Sequence, residues 1–254
     1  MEKRIIGRGL LAGAIASVAA FVFARTFVEP VLASAIAYEE AHAGGHDHGV
    51  EIFTRGVQAN IGMGFGVLAF GVAMGALFAV AYCMAYGRVG IASPRLLSVL
   101  LAGGMFLSLY VVPFLKYPAN PPGVGLEDTV EAWSTTFLLV TAISVVGAGA
   151  ALSAGLARAR RGEVWRASAL GVGGYLVVTL VAMAMLPSFQ EVPGPLTGPD
   201  GLLLDGFPAE VLADFRVYSL VNQALMWLVI GATSACLTAV WPSMRRNWRV
   251  ARFG

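Results

Sequence analysis

Six long runs of apolar residues alternate with polar segments along this chain of 254 residues. In a helix, about 20 apolar residues at a rise of about 1.5 Å each match the hydrocarbon core of a bilayer. The runs lack the period-two alternation that is typical of a membrane strand. The pattern therefore predicts an all-α, polytopic membrane helix bundle that forms a single transmembrane domain over residues 1–254. The six predicted transmembrane helices lie near residues 5–24, 60–86, 96–115, 133–157, 167–186 and 217–241.

Composition agrees with a membrane location. Hydrophobic residues make up 57% of the chain, charged residues 13%, and the mean hydropathy is +0.75. These values lie outside the usual range of soluble domains. The first run follows Lys3, Arg4 and Arg8 and also resembles a signal peptide, but it has the length of a full membrane span. We expect it to be retained as a helix.

Charged residues divide unevenly between the two sides that six spans define. Thirteen of the 17 Lys and Arg lie on alternate segments, which include both termini. The positive-inside rule therefore predicts that both termini are cytoplasmic. Thirteen of the 15 acids lie on the other side, where the long loops 25–58 and 187–216 are predicted. We interpret the basic face as a sign of topology and not as a nucleic-acid-binding surface.

Both long loops contain a stretch with helical character. Residues 30–41 have helical spacing that is typical of a helix at the membrane surface. The second loop is rich in Pro and Gly and is predicted to be irregular, except that Pro208 can begin a helix that continues into the last span. Within the spans, glycines four residues apart, such as Gly71 and Gly75, predict close packing of helices.

All three histidines of the chain lie within seven residues of the first loop. Imidazole beside carboxylates suits borderline divalent cations such as Co²⁺, Ni²⁺ and Zn²⁺. The pattern is also compatible with a solvated loop that responds to pH, because histidine titrates near neutrality. The candidate metal ligands are Glu39, Glu40, His42, His46, Asp47 and His48.

A second group of polar residues lies at the predicted ends of the spans. Charges near lipid are costly and tend to pair or to line a pathway. Arg25 and Glu29 are four residues apart, which allows them to pair on one helix face. Alternatively, Glu29 relays a cation below the histidines. The candidate pathway residues are Arg25, Glu29, Arg55, Gln58, Lys116, Tyr117, Asn120, Asn222 and Gln223.

Four prolines lie within ten residues at the end of the third span, from Pro113 to Pro122. Proline removes backbone donors, so carbonyl groups there are freed from the helix ladder. Such carbonyls, with the amide of Asn120, are candidate ligands for a cation at the mouth of a pathway. In the simpler interpretation the segment only ends the span, and Lys116 extends to the headgroups.

The proline-rich segment, followed by Gly123-Val124-Gly125, resembles the signature of the CbtA family, predicted cobalt transporter subunits of bacteria. Three further stretches resemble that family in order, and the resemblance covers most of the chain. They are residues 25–30, 35–40 and 55–58. The resemblance implies import of Co²⁺ for cobalamin synthesis together with a small single-span partner, CbtB. It implies roles for Glu29, Glu39, Glu40, Arg55, Gln58, Lys116, Tyr117 and Asn120.

These observations predict a membrane subunit of a divalent-cation importer in the bacterial inner membrane, with the long loops on the periplasmic or extracellular side. Co²⁺ is the expected transported ion, with Ni²⁺ or Zn²⁺ as alternatives, and no permanently bound cofactor is expected. The other hypothesis is a non-transporting assembly or metal-sensing subunit. The sequence lacks a phosphate-binding loop, a Ser-His-Asp set and a His-Glu-x-x-His motif, so we do not expect an enzyme.

Overall fold

A computed structural model describes residues 2–42, 54–89, 93–125, 127–159, 162, 164–189, 191–197 and 203–239. Within these residues, six helices are long and apolar enough to cross a membrane, which confirms the predicted all-α bundle. We number them α1 to α6. They span residues 2–42 (α1), Arg55–Ala85 (α2), Pro94–Lys116 (α3), Val130–Ala159 (α4), Val164–Met185 (α5) and Ala209–Ala239 (α6).

In the described connections between the helices there are three short elements. A 3₁₀ turn at Glu127–Thr129 precedes α4. Between α5 and α6, β1 (Leu196–Thr197) pairs antiparallel with β2 (Leu203–Leu204), with Leu196 opposite Leu204. The sequence predicts irregular chain there, and the hairpin is a small departure from that prediction.

The first three helices each contain one π-helical turn. The turns are Ala24–Val28 in α1, Gln58–Gly62 in α2 and Leu107–Val111 in α3. The α-helical parts on either side are Glu2–Phe23 and Glu29–His42 in α1, and Arg55–Val57 and Met63–Ala85 in α2. In α3 they are Pro94–Phe106 and Val112–Lys116. All three turns lie near the end of the bundle where α1, α3 and α5 end and α2, α4 and α6 begin. We call this end the loop end.

Two of the π-helical turns explain how a proline is accommodated inside a long helix. Glu29 N–H bonds to the carbonyl of Ala24, five residues back, and Pro30 follows directly. Val112 N–H bonds in the same way to Leu107, before Pro113. Proline has no N–H to donate and its ring clashes with the carbonyl four residues back. Because the wider turn already breaks the four-residue ladder, the helix continues past the proline.

The helices extend beyond several predicted boundaries. The prediction that the chain leaves the first helix at residue 25 is wrong, because α1 continues through the π-helical turn to His42. Its last part packs beside the start of α6, where Ala35, Phe207 and Leu212 form a small buried cluster. The predicted helix after Pro208 is confirmed, since α6 begins at residue 209 and continues through the last span.

The core lies between α1, α2, α3 and α6. It contains Ala16, Phe78, Leu97, Met226 and Ile230, among other buried residues. Helices α4 and α5 pack mainly on each other, and the Ser144 and Tyr175 hydroxyls form a 2.8 Å hydrogen bond between them. The outward side chains of α5 are apolar and exposed, as expected for a surface that faces lipid.

The closest contact in the core joins the backbones of α1 and α2. A Cβ atom added to Gly75 would lie 2.8 Å from Gly13 Cα, and one added to Gly71 would meet the hydroxyl of Ser17. Gly71 and Gly75 therefore perform the packing role that their spacing predicts. Gly66, in the same helix, has open space around its Cα, so not every glycine of that run serves this contact.

Candidate functional site

Glu29 is one of two acids, with Glu191, that are buried among the described residues, and its accessible fraction is 8%. The π-helical turn before it brings its carboxylate to the start of α2. There Arg55 Nη2 donates to Glu29 Oε1 at 2.8 Å. The second oxygen, Oε2, is buried without a hydrogen-bond partner among the described residues. Such an atom is unusual, because buried polar atoms are nearly always satisfied.

Arg25 does not pair with Glu29 in the structure. Its Nε donates instead to Asn60 Oδ1 at 3.0 Å, and Asn60 Nδ2 donates to the carbonyl of Gly56 at 2.8 Å. The predicted pairing within α1 is therefore wrong. Glu29 pairs with Arg55 instead, so both side chains find their partners on α2. Gln58 begins the π-helical turn of α2 beside this group and is exposed.

The exit of α3 forms hydrogen bonds with the segment that follows α5. Lys116 Nζ donates to Ser188 Oγ at 2.7 Å. Tyr117, of which 2% is exposed, donates its hydroxyl to the carbonyl of Pro187 at 2.7 Å. These two bonds hold the proline-rich segment against the chain between α5 and α6.

Asn120 lies at the centre of a second network. Its Oδ1 accepts a 2.8 Å hydrogen bond from Arg216 Nη2, and Arg216 Nε donates to the carbonyl of Ala119 at 3.4 Å. Its Nδ2 donates to Glu191 Oε2 at 3.4 Å. Glu191 Oε1 accepts from the hydroxyl of Thr129 at 2.6 Å. The network joins the segment after α3, the 3₁₀ turn before α4, helix α6 and the loop before β1.

These bonds bear on the hypothesis that freed carbonyls of the proline-rich segment bind a cation. The carbonyl of Ala119 accepts from Arg216, and that of Pro121 accepts from Val124 N–H at 3.2 Å. The Asn120 oxygen also accepts from Arg216. These three candidate oxygens therefore already accept hydrogen bonds from donors of the protein.

A cavity of about 400 Å³ lies next to this network. That volume is within the usual range of ligand pockets. Its lining combines aromatic rings, two cationic side chains and one carboxylate. The lining residues are Lys116, Tyr117, Pro118, Asn120, Trp133, Phe189, Glu191, Val192 and Arg216.

Asn222 and Gln223 lie on α6, one turn beyond Tyr218. The ring of Tyr218 contacts Phe27 of α1 at a centroid distance of 5.9 Å, so this part of α6 faces the π-helical turn before Glu29. Both residues are half-buried. The Asn222 Oδ1 atom is buried and has no hydrogen-bond partner within the described part of the chain.

The predicted metal ligands are only partly described. Glu39 and Glu40 are exposed in the last turns of α1, and His42 is the last residue of that helix. His46, Asp47 and His48 lie outside the described residues. Among the residues that the structure describes, no three His, Cys, Asp or Glu side chains form a group able to hold a metal ion. Metal binding by the histidines stays a prediction.

A family model described as "Probable cobalt transporter subunit (CbtA)" matches residues 2–239, which is nearly the whole chain. The chain belongs to the CbtA family. No curated protein and no solved structure matches it. This CbtA-family chain is thus a multi-pass membrane protein of a transporter-subunit family, as the motifs indicate. The orientation of its termini stays a prediction.

Sequence reasoning missed several residues of this CbtA-family site. Glu191, Thr129 and Ser188 lie in irregular segments, where no periodicity indicates which side chains turn inward. Trp133 and Phe189 appear in the sequence as ordinary membrane-interface aromatics. Arg216 was not missed in this way: with Arg25, Glu29, Arg55 and Lys116 it belongs to the charged group that the sequence places at the ends of the spans.

The Tyr117 hydrogen bond leads to a first prediction. We expect Tyr117→Phe to lower the free energy of unfolding by about 1–3 kcal/mol, because the substitution leaves the Pro187 carbonyl without its donor. Thermal unfolding of the purified protein in detergent measures the change. Tyr110→Phe is the matched control, since no hydrogen bond of the Tyr110 hydroxyl is recorded among the described residues. Equal midpoints for the two variants would contradict the prediction.

Proposed function

We propose that this chain is the membrane-embedded subunit of a divalent-cation importer and that Co²⁺ is the transported ion. Membership of the CbtA family supports the general class. The observation that carries the specific proposal is Glu29, a buried acid at the loop end whose Oε2 has no hydrogen-bond partner among the described residues. A buried carboxylate of this kind is suited to hold a passing cation.

In this proposal Arg55 regulates the charge of the site. Arg55 pairs with Glu29 Oε1 and, with 39% of its side chain exposed, has room to move away. A divalent cation that approaches the free Oε2 repels the guanidinium and can replace it as the partner of the carboxylate. The site is then neutralised by arginine when empty and by the metal ion when loaded.

Helix α6 offers a route from this site toward the opposite end of the bundle. Asn222, Met226, Ile230 and Ser234 follow one another at four-residue spacing and therefore share a face. Asn222 Oδ1 and Ser234 Oγ are buried without a hydrogen-bond partner among the described residues. Met226 and Ile230 between them are 2% and 0% exposed. We propose that the two apolar side chains close the route in this conformation.

The histidines of the first loop complete the proposal on the predicted outer side. His42, His46 and His48, with Asp47 and the exposed Glu39 and Glu40, concentrate the cation near the loop end. Transient contact suits this role better than tight capture, because transport requires release. Gln58 and Arg25 flank the approach to Glu29, and Gln223 lies beside Asn222.

The driving force in this proposal is the membrane potential or a partner subunit. Two positive charges that move inward gain about 4.6 kcal/mol per 100 mV. A small single-span subunit of the CbtB kind is the proposed partner. The proposed location is the bacterial inner membrane, with residues 43–54 and 187–208 outside.

Accumulation of radiolabelled cobalt tests the transport function directly. Cells that express the chain with its single-span partner are expected to accumulate more cobalt than cells with an empty vector. Dissipating the membrane potential is expected to abolish the difference. No accumulation above background in any combination would leave the assembly or sensing role as the better hypothesis. Competition by Ni²⁺ or Zn²⁺ at equal concentration tests the choice of ion.

The histidines lead to a second prediction. We expect the triple substitution of His42, His46 and His48 by Ala to raise the half-saturating cobalt concentration about tenfold, because local enrichment of the cation is lost. The maximal rate should stay the same, since the loop lies before the buried site. Initial uptake rates over a range of cobalt concentrations separate the two quantities. Lys3→Ala, at the opposite end of α1, is the control.

A further inference from the structure

The cavity at the exit of α3 has a chemistry that differs from that of a cation site. Two of its lining side chains, Lys116 and Arg216, are positively charged, and one, Glu191, is negatively charged. The ionised groups of the lining thus carry a net charge of +1. A free divalent cation would be repelled by both basic groups, because the low dielectric of a partly buried site strengthens repulsion.

The single carboxylate of the lining, that of Glu191, is bonded within the protein. Both of its carboxylate oxygens accept hydrogen bonds, one from Thr129 and one from Asn120. Its backbone carbonyl also accepts, from Gly125 N–H at 3.2 Å. With 8% of its surface exposed, Glu191 is a positioning residue that orients Asn120 and the loop around it.

The two basic side chains, by contrast, have more N–H donors than the described residues accept. An ammonium group has three N–H donors, and Ser188 is the one acceptor recorded for Lys116 within the described residues. A guanidinium has five N–H donors, and within the described residues those of Arg216 bond to the carbonyl of Ala119 and to Asn120 Oδ1. The cavity therefore presents surplus donors and positive charge, which match an anion.

The remaining wall of the cavity is aromatic. The ring of Tyr117 contacts those of Trp133 and Phe189 at centroid distances of 6.1 and 6.0 Å. Because Tyr117 is buried and its hydroxyl is bonded to Pro187, its ring is held in a fixed position, and the two half-buried rings pack against it. Aromatic rings next to positive charges are suited to bind a flat organic group that carries an anionic head.

We propose that this cavity binds a small organic carboxylate with a planar ring. Lys116 and Arg216 hold the carboxylate, and Trp133 and Phe189 contact the ring. The site lies apart from the proposed cation site at Glu29 and binds its ligand without cobalt. An anionic lipid headgroup shares part of this chemistry, and the experiment below separates the two sources.

Calorimetry on the full chain in nanodiscs of zwitterionic phosphatidylcholine tests the proposal. The probe is benzoate, and benzamide, which has the same shape without the charge, is the matched control ligand. Benzoate is expected to bind at least about tenfold more tightly than benzamide, because its carboxylate accepts charge-assisted hydrogen bonds that the neutral amide cannot match. Raising the salt concentration should weaken benzoate binding.

Three variants locate the binding site. Lys116→Gln keeps a hydrogen-bonding group near Ser188 and removes the charge, and it is expected to weaken benzoate binding about tenfold. Arg216→Lys keeps the charge and removes the planar fork, and it is expected to weaken binding as well. Lys3→Gln removes one charge at the opposite end and should bind benzoate like the wild type. Thermal unfolding midpoints close to that of the wild type establish that each variant is folded.

Two results would overturn the proposal. One is that the wild type does not bind benzoate, or that the wild type and Lys116→Gln bind benzoate with equal affinity. The other is retention of phosphatidylglycerol by the wild type but not by Lys116→Gln in native mass spectrometry, without benzoate binding, which would assign the cavity to lipid headgroups. Neither result depends on cobalt uptake, so this site and the proposed transport function are tested separately.

Discussion

Glu29→Gln is expected to reduce cobalt uptake about 10- to 100-fold while the protein still accumulates in the membrane. The substitution replaces a buried carboxylate by a neutral amide of nearly the same shape. It thereby removes a charge-assisted interaction worth about 1.5–3 kcal/mol, which corresponds to about 10- to 100-fold in a binding constant. Initial uptake rates, normalised to the amount of membrane-inserted protein, measure the effect.

Two further variants separate the loss of the carboxylate from the effect of leaving Arg55 without its ion-pair partner. In Glu29→Gln/Arg55→Gln no unpaired charge remains, and uptake should stay low if the carboxylate itself holds the cation. Glu29→Asp keeps the charge on a shorter side chain and should retain part of the activity. Glu40→Gln removes an exposed acid of the same helix and is the matched control. Wild-type uptake by Glu29→Gln at a normal membrane level would rule out the proposed cation site.

The second large effect concerns stability. Gly75→Leu is expected to lower the free energy of unfolding by about 3 kcal/mol, the upper part of the usual range for overpacking. A Cβ atom at residue 75 would lie 2.8 Å from Gly13 Cα, and the obstacle is backbone that cannot rotate away. The helices must separate, and the contacts that close approach allows are lost.

Gly66→Leu provides a control in the same helix. Apart from the backbone of its own helix and its chain neighbours, no described heavy atom lies within 4 Å of the Cβ position at Gly66, so the added side chain points into open space that lipid can fill. Its unfolding midpoint should match that of the wild type, whereas Gly75→Leu should unfold at a lower temperature in the same detergent. A similar loss of stability in both variants would attribute the effect to helix propensity or lipid contact instead of the α1–α2 interface.

Part of the candidate site can be recognised from the chain, and part cannot. A lone acid such as Glu29 beside an apolar run is visible as a costly charge that needs a partner. The sequence does not show which residue is that partner, since Arg25 and Arg55 are both candidates to pair with Glu29. The packing of α1 against α2 decides between them, since it places Arg55 against Glu29 and Arg25 against Asn60. The same holds for Asn120, whose partners Arg216 and Glu191 are 96 and 71 residues away.

The local pattern was sufficient to predict the six apolar helices and the start of the last one after Pro208. These features depend on hydropathy and on residues within a turn or two of each other, which periodicity reports. The tertiary structure decided how each helix is rotated about its axis and where it lies along its neighbours. Those two quantities place Gly75 against Gly13, Arg55 against Glu29 and an aromatic wall beside Lys116. They arise from the packing of all the helices together, so no single segment of the chain carries them.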